Sequence, residues 1–111
     1  MPAELDLTDM GRRPLGLDGW GDRSVWGWDS QAGILFAQLW RDRGDDYEED
    51  DDDRPDVWIT PPAWPATSDA VQLAEWIGHA TALPVAPVLK ALAQSVISPV
   101  RDALMAEAGR R

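Results

Sequence analysis

The residues with most capacity for chemistry stand together. Arg41 to Asp56 reads RDRGDDYEEDDDDRPD, sixteen positions that hold ten carboxylates. Oxygen at this density is what a calcium cage needs, with about six to eight ligands converging from a loop that has a sharp turn built in. The centre of the run is Asp45, Asp46, Tyr47, Glu48, Glu49, Asp50, Asp51, Asp52 and Asp53. It has the oxygens but no glycine and no alternating ligand spacing. Adjacent carboxylates on a free chain repel one another and hold divalent ions weakly, so a disordered, solvated loop over 42–56 is expected rather than a metal site. Arg41, Arg43 and Arg54 stand where they could tether its ends. Two functional uses remain. The run can dock on a basic protein partner, or it can imitate the phosphates of duplex DNA, which carry one charge per about 1.7 Å of axis. Asp18, Asp22 and Asp29 would extend the negative field of such a mimic. Mimicry requires carboxylates held at fixed pitch on ordered elements, whereas docking does not, and the docking arm is the better reading.

Other reactive side chains are sparse. His79 is the single histidine, four residues after Glu75 on the polar side of a predicted helix, where a surface pair is expected. With no cysteine and no second histidine, neither a zinc site nor a catalytic base is indicated. The five serines have no base implied by their spacing, and neither a phosphate-binding GxxxxGK[ST] loop nor a GxGxxG turn occurs. The chain reads as a non-enzyme without metal or cofactor.

Tryptophan is the other anomaly, with seven in 111 residues beside one Tyr and one Phe. Trp20, Trp26 and Trp28 share one parity of a predicted strand, and Trp26 and Trp28 on that face could form a platform for a sugar or a peptide. The same rings could equally fill a core. Trp40, Trp58 and Trp76 are expected inside, and Trp20, Trp26 and Trp64 are candidates for exposure. With Asp45, Asp46, Glu48, Glu49 and Asp50 to Asp53, the exposed rings would make a partner-binding patch, because aromatic side chains supply hot-spot area.

These groups must be positioned by a small set of elements. Residues 1–18 mix Gly, Pro and charge without a period and read as a flexible arm. A hairpin of about 20–28 with 33–41 follows, turned by Asp29-Ser30-Gln31-Ala32-Gly33. Val57-Trp58-Ile59-Thr60 gives a third, short strand that Pro61-Pro62 ends, so the acidic run becomes an overlong hairpin loop. Thr67, Ser68 and Asp69 offer N-caps to a helix over 70–80, with Leu73, Trp76, Ile77 and Ala80 on its apolar side. A second helix begins between Val85 and Pro87 and buries Val88, Leu89, Leu92, Ala93, Val96 and Ile97. Ser98-Pro99 opens a third that ends near Gly109. The expectation is an α+β fold over 19–109, a three-stranded antiparallel sheet followed by two or three C-terminal helices packed on one face.

The helical pair at 70–97 also has helix-turn-helix spacing, which makes a nucleic-acid regulator the alternative class. Its second helix, however, starts Val85-Ala86-Pro87 and offers Lys90 alone, where a base reader needs Arg, Lys, Asn or Gln. A packed αα-hairpin is the simpler reading. Charge points the same way. Residues 1–59 carry sixteen acids against six arginines, residues 60–111 carry four of each sign, and the net charge is −10. Such a chain is repelled by nucleic acid and by anionic membranes. The N-terminal stretch has no apolar leader, and no apolar run is long enough to span a bilayer, so a cytoplasmic location is expected.

Gly27-Trp28-Asp29, Leu35 to Arg41 and Pro55 to Ile59, followed by an Ala-rich helical pair, resemble small proteins of high-GC actinobacteria and their mobile elements over roughly residues 20–95. The shared features are structural, and the resemblance implies no activity. The functional expectation is a small acidic regulatory or accessory protein that binds another protein, in the manner of an inhibitor, immunity factor or antitoxin.

Overall fold

The computed structural model describes residues 11–21, 23–42, 54–96 and 100–111. Its sheet is a four-stranded antiparallel meander of β1 (Arg12–Pro14), β2 (Val25–Asp29), β3 (Ile34–Leu39) and β4 (Val57–Ile59), in that order across the sheet. Three helices follow: α1 (Ala70–Thr81), α2 (Val85–Gln94) and α3 (Val100–Gly109). The α+β class holds, with one strand more than expected.

The central hairpin closes as its turn chemistry dictates. Asp29 Oδ1 accepts hydrogen bonds from the backbone N–H groups of Gln31 (3.0 Å) and Ala32 (3.2 Å). Gly33, at φ 68°, takes the left-handed conformation that returns the chain into β3. The resulting register sets Trp26 opposite Ala37 and Trp28 opposite Leu35, while Ala37 faces Ile59 of β4.

The additional strand lies where an arm was expected, and for residues 11–18 that expectation is corrected; residues 1–10 lie outside the described residues. Arg12 pairs with Gly27 and Pro14 with Val25. Gly27 admits this approach because it has no side chain: a Cβ there would overlap the carbonyl oxygen of Gly11 and lie 3.2 Å from Arg12 Cα. Leu15 and Leu17, just beyond the strand, are buried. Their burial supplies the apolar gain that holds a three-residue strand in place. Mixed composition hid it, since two leucines spaced by glycine show no period.

The first two helices start where predicted, but α2 ends at Gln94, before Val96 of its expected stripe. Asp69 is the N-cap of α1, its side chain accepting from Val71 N at 2.9 Å. Thr67 accepts from Asp69 N through Oγ1 and donates the same hydroxyl to Gln72 Oε1 at 2.6 Å. Ala82 ends α1 in the left-handed conformation (φ 59°), its N–H bonded to Gly78 O. α2 opens at Val85 with Pro84 as its N-cap residue and Pro87 in its first turn, where a missing N–H costs nothing. The third helix runs to Gly109 as expected, while Ile97 and the Ser98-Pro99 signal before it lie outside the described residues.

One layer of side chains joins sheet and helices. Leu35, Ala37, Leu39, Trp26 and Ile59 meet Leu73, Ala74 and Ile77 of α1 and Val88, Leu89 and Leu92 of α2, all buried. Leu104 of α3 is buried in the same cluster. Among the described residues, no helix is long and apolar enough to cross a membrane.

Candidate functional site

Strand alternation assigns Trp26, Trp28 and Trp58 to faces of the sheet, and the outcome reverses several expectations. Trp26 is 0% exposed and Trp20 is 9% exposed. β2 turns Trp26 and Trp28 toward the helices, Trp26 fully buried and Trp28 half-buried against the core, so of the two readings of this pair the core-filling one holds. The indole N–H of Trp26 donates to Ser95 Oγ at 2.8 Å, at the end of α2, and the Ser95 hydroxyl donates to Leu92 O at 3.0 Å. A buried indole is thereby satisfied across 69 residues of chain. Trp20 forms an isolated bridge with Arg41, whose guanidinium lies 5.0 Å from the indole centroid. Trp64, expected exposed, and Trp76, expected inside, are both half-buried against each other, with ring centroids 5.8 Å apart.

The opposite correction applies to Trp58. It was expected in the core, yet it is 51% exposed. Val57 and Ile59 pair with Leu39 and Ala37 on the helix side, which turns the residue between them outward beside Gln38. Trp40, also expected inside, lies just beyond β3; it continues the outward parity of Phe36 and Gln38 and is half-buried. Arg23 lies 4.8 Å from its ring centroid.

The outer face of the sheet is therefore unusually apolar. Val25, Ile34, Phe36 and Trp40 are half-buried there, around the exposed Trp58. A sheet covered by helices on one side normally turns polar residues to the other. Arg12 braces this face, donating to Gln38 Oε1 at 2.6 Å with its guanidinium 5.7 Å from the Phe36 centroid. Sequence reasoning missed the site by weighing residue type over parity. The triplet Val57-Trp58-Ile59 carried the signal, because period-two alternation cannot bury all three.

The acidic candidates Asp45, Asp46, Glu48, Glu49 and Asp50 to Asp53 lie outside the described residues, as does Asp22. The ends of the run are described: the backbone N–H of Arg41 donates to Asp56 Oδ2 at 2.8 Å. At Arg41 the expected tether is thus made by the backbone rather than the guanidinium, which stacks on Trp20. By the β3–β4 register, Arg41 and Asp56 flank Trp40 and Trp58, so the run departs from and rejoins the fold at the margin of the aromatic face.

The remaining candidates separate. His79 is exposed and does not pair with Glu75, whose carboxylate meets Arg111 at 3.6 Å instead. α1 and α2 are joined through Ala82–Pro84, and the exposed side of α2 presents Pro87, Lys90 and Gln94. Among the described residues, no group of three or more His, Cys, Asp or Glu side chains could hold a metal ion. No family model, curated protein or solved structure matches this chain.

Proposed function

We propose that this chain is a small acidic, non-enzymatic accessory protein that binds another protein through the outer face of its sheet, with the acidic run engaging basic groups around the contact. The observation that carries the reading is Trp58, half in solvent on a face whose other large apolar residues are Val25, Ile34, Phe36 and Trp40. Exposed apolar patches of this kind mark interaction surfaces, and tryptophan is the residue most enriched at their energetic centres. The partner that fits is apolar where it meets Trp58 and basic at its rim. Both ends of the ten-carboxylate run meet the fold beside this face, and unlike charge at a rim accelerates association and excludes wrong partners.

The test is affinity capture from host lysate with three baits: the intact chain, Trp58→Ala, and a chain with residues 45–53 replaced by Gly and Ser. A specific partner should be retained by the intact chain. Trp58→Ala should weaken it about tenfold or more, the loss of one hot-spot aromatic. The Gly/Ser chain should bind more slowly and lose the salt dependence of the intact one. Equal recovery on all three baits overturns the reading.

A further inference from the structure

Met105 is the second large apolar side chain that the fold leaves open, at 45% exposure, and it lies away from the sheet face. It borders a cleft of about 400 Å³ between α2 and α3. Lys90, Ala93 and Gln94 reach the cleft from α2 at positions i, i+3 and i+4, and Arg101 and Met105 reach it from α3 at i and i+4. Helical periodicity thus turns one ridge of each helix toward the same space.

The charge of this cleft is opposite to that of the chain. Lys90 is the single lysine in a protein of net charge −10, and no described carboxylate pairs with it. Arg101 donates Nε–H to Val96 O at 3.2 Å, and its guanidinium likewise meets no described carboxylate. Two cations lining one cleft, neither paired with a described carboxylate, gain from an anion placed beside them. The floor is apolar: Ala93 is buried and too small to fill the space, and the Met105 thioether is a flexible wall that adapts to an alkyl chain. The volume falls in the range of small-molecule sites, about 300–1,000 Å³.

We propose that the α2–α3 cleft binds a small amphipathic carboxylate, its head held by Lys90 and Arg101 and its alkyl tail lying over Ala93 and Met105. This site is independent of the protein-binding face: it uses other elements and the opposite sign of charge.

The experiment is a methyl NMR titration of the full chain labelled at its three methionines, with the Met105 signal assigned through Met105→Leu. Sodium octanoate should shift the Met105 methyl saturably, with a Kd of about 1 mM as suits so small a ligand. Butanoate, which lacks four methylenes, should bind about tenfold or more weakly. Lys90→Met and Arg101→Met should each weaken octanoate about tenfold, while Arg101→Lys keeps most of the affinity. Both positions are exposed, and unchanged far-UV circular dichroism verifies that the variants fold. The proposal is overturned by any of three results: no saturable shift with octanoate, an equal shift with octyltrimethylammonium, or undiminished binding in both charge variants. A tetraglutamate peptide that binds as tightly as octanoate also overturns it, because the cleft would then recognise acidic protein rather than an amphipathic small molecule.

Discussion

The bond from Trp26 to Ser95 is the sharpest test of how sheet and helices are joined. Trp26 is fully buried in β2, and its indole N–H finds its partner at the residue that caps α2. Ser95→Ala leaves that N–H buried without an acceptor, a loss of about 1–3 kcal/mol. The Leu92 carbonyl still accepts from Ser95 N at 3.2 Å, so the cost at the helix end is small and a total of about 2 kcal/mol is expected. For a domain of this size that is a fall in Tm of about 8–16 °C. Trp26→Phe removes the N–H and part of the ring, and the unfilled volume adds to the cost, for about 2–4 kcal/mol. In the Trp26→Phe background the serine has lost its donor, so Ser95→Ala should then cost about 0.5 kcal/mol. The double-mutant cycle should therefore show about 1–1.5 kcal/mol of coupling, since residues in one hydrogen-bond network are not additive. Urea unfolding followed by far-UV circular dichroism measures this without relying on the indole being removed, and an unchanged m-value licenses the comparison. If Ser95→Ala stays within about 0.5 kcal/mol of the parent, or if the cycle is additive within about 0.3 kcal/mol, the bond does not hold the two layers together.

Three further substitutions test the backbone. Gly27→Ala would drive a methyl into the Gly11 carbonyl, and since backbone yields less readily than a side chain, β1 must lift away; we expect a loss of about 2 kcal/mol or more, together with faster amide exchange at Leu15. Gly16→Ala, which meets nothing within 4 Å, should stay within about 0.5 kcal/mol of the parent, and equal stability of the two variants would refute the packing of β1 on β2. Ala82→Gly should raise stability by about 0.5–1 kcal/mol in the same urea assay, because Ala82 holds φ 59° at the end of α1 and glycine adopts that conformation without steric cost. A decrease would show that the left-handed cap is not the resting conformation.

Local signals proved reliable wherever neighbouring residues decide the outcome. The Asp29 to Gly33 turn, the Asp69 cap, the start of α2 after Pro84 and the burial of Leu73, Ile77, Leu89 and Leu92 all follow from short-range chemistry or a 3.6-residue period. The candidate site was less legible. Trp20, Trp26 and Trp28 were recognised as sharing a face, but parity alone does not say whether that face meets helices or water. Trp58 was assigned inside because of its residue type, although its own strand required it to point out. Arg12 to Leu17 form part of the fold through a pairing with Gly27, which no local pattern announces.

The sequence by itself determined the order and kind of most elements, the excess of negative charge between two strands, and which residues share a side of each strand or helix. These follow from backbone geometry and side-chain type within a few residues. Tertiary structure decided which side of the sheet is covered. Once α1 and α2 pack over Leu35, Ala37, Leu39 and Ile59, Trp26 must be inside, and Trp58, one residue from Ile59, must be outside. The facing of Lys90 and Arg101 across α2 and α3 was settled in the same way. Burial depends on what arrives from far along the chain, and that choice is made by the packing of whole layers.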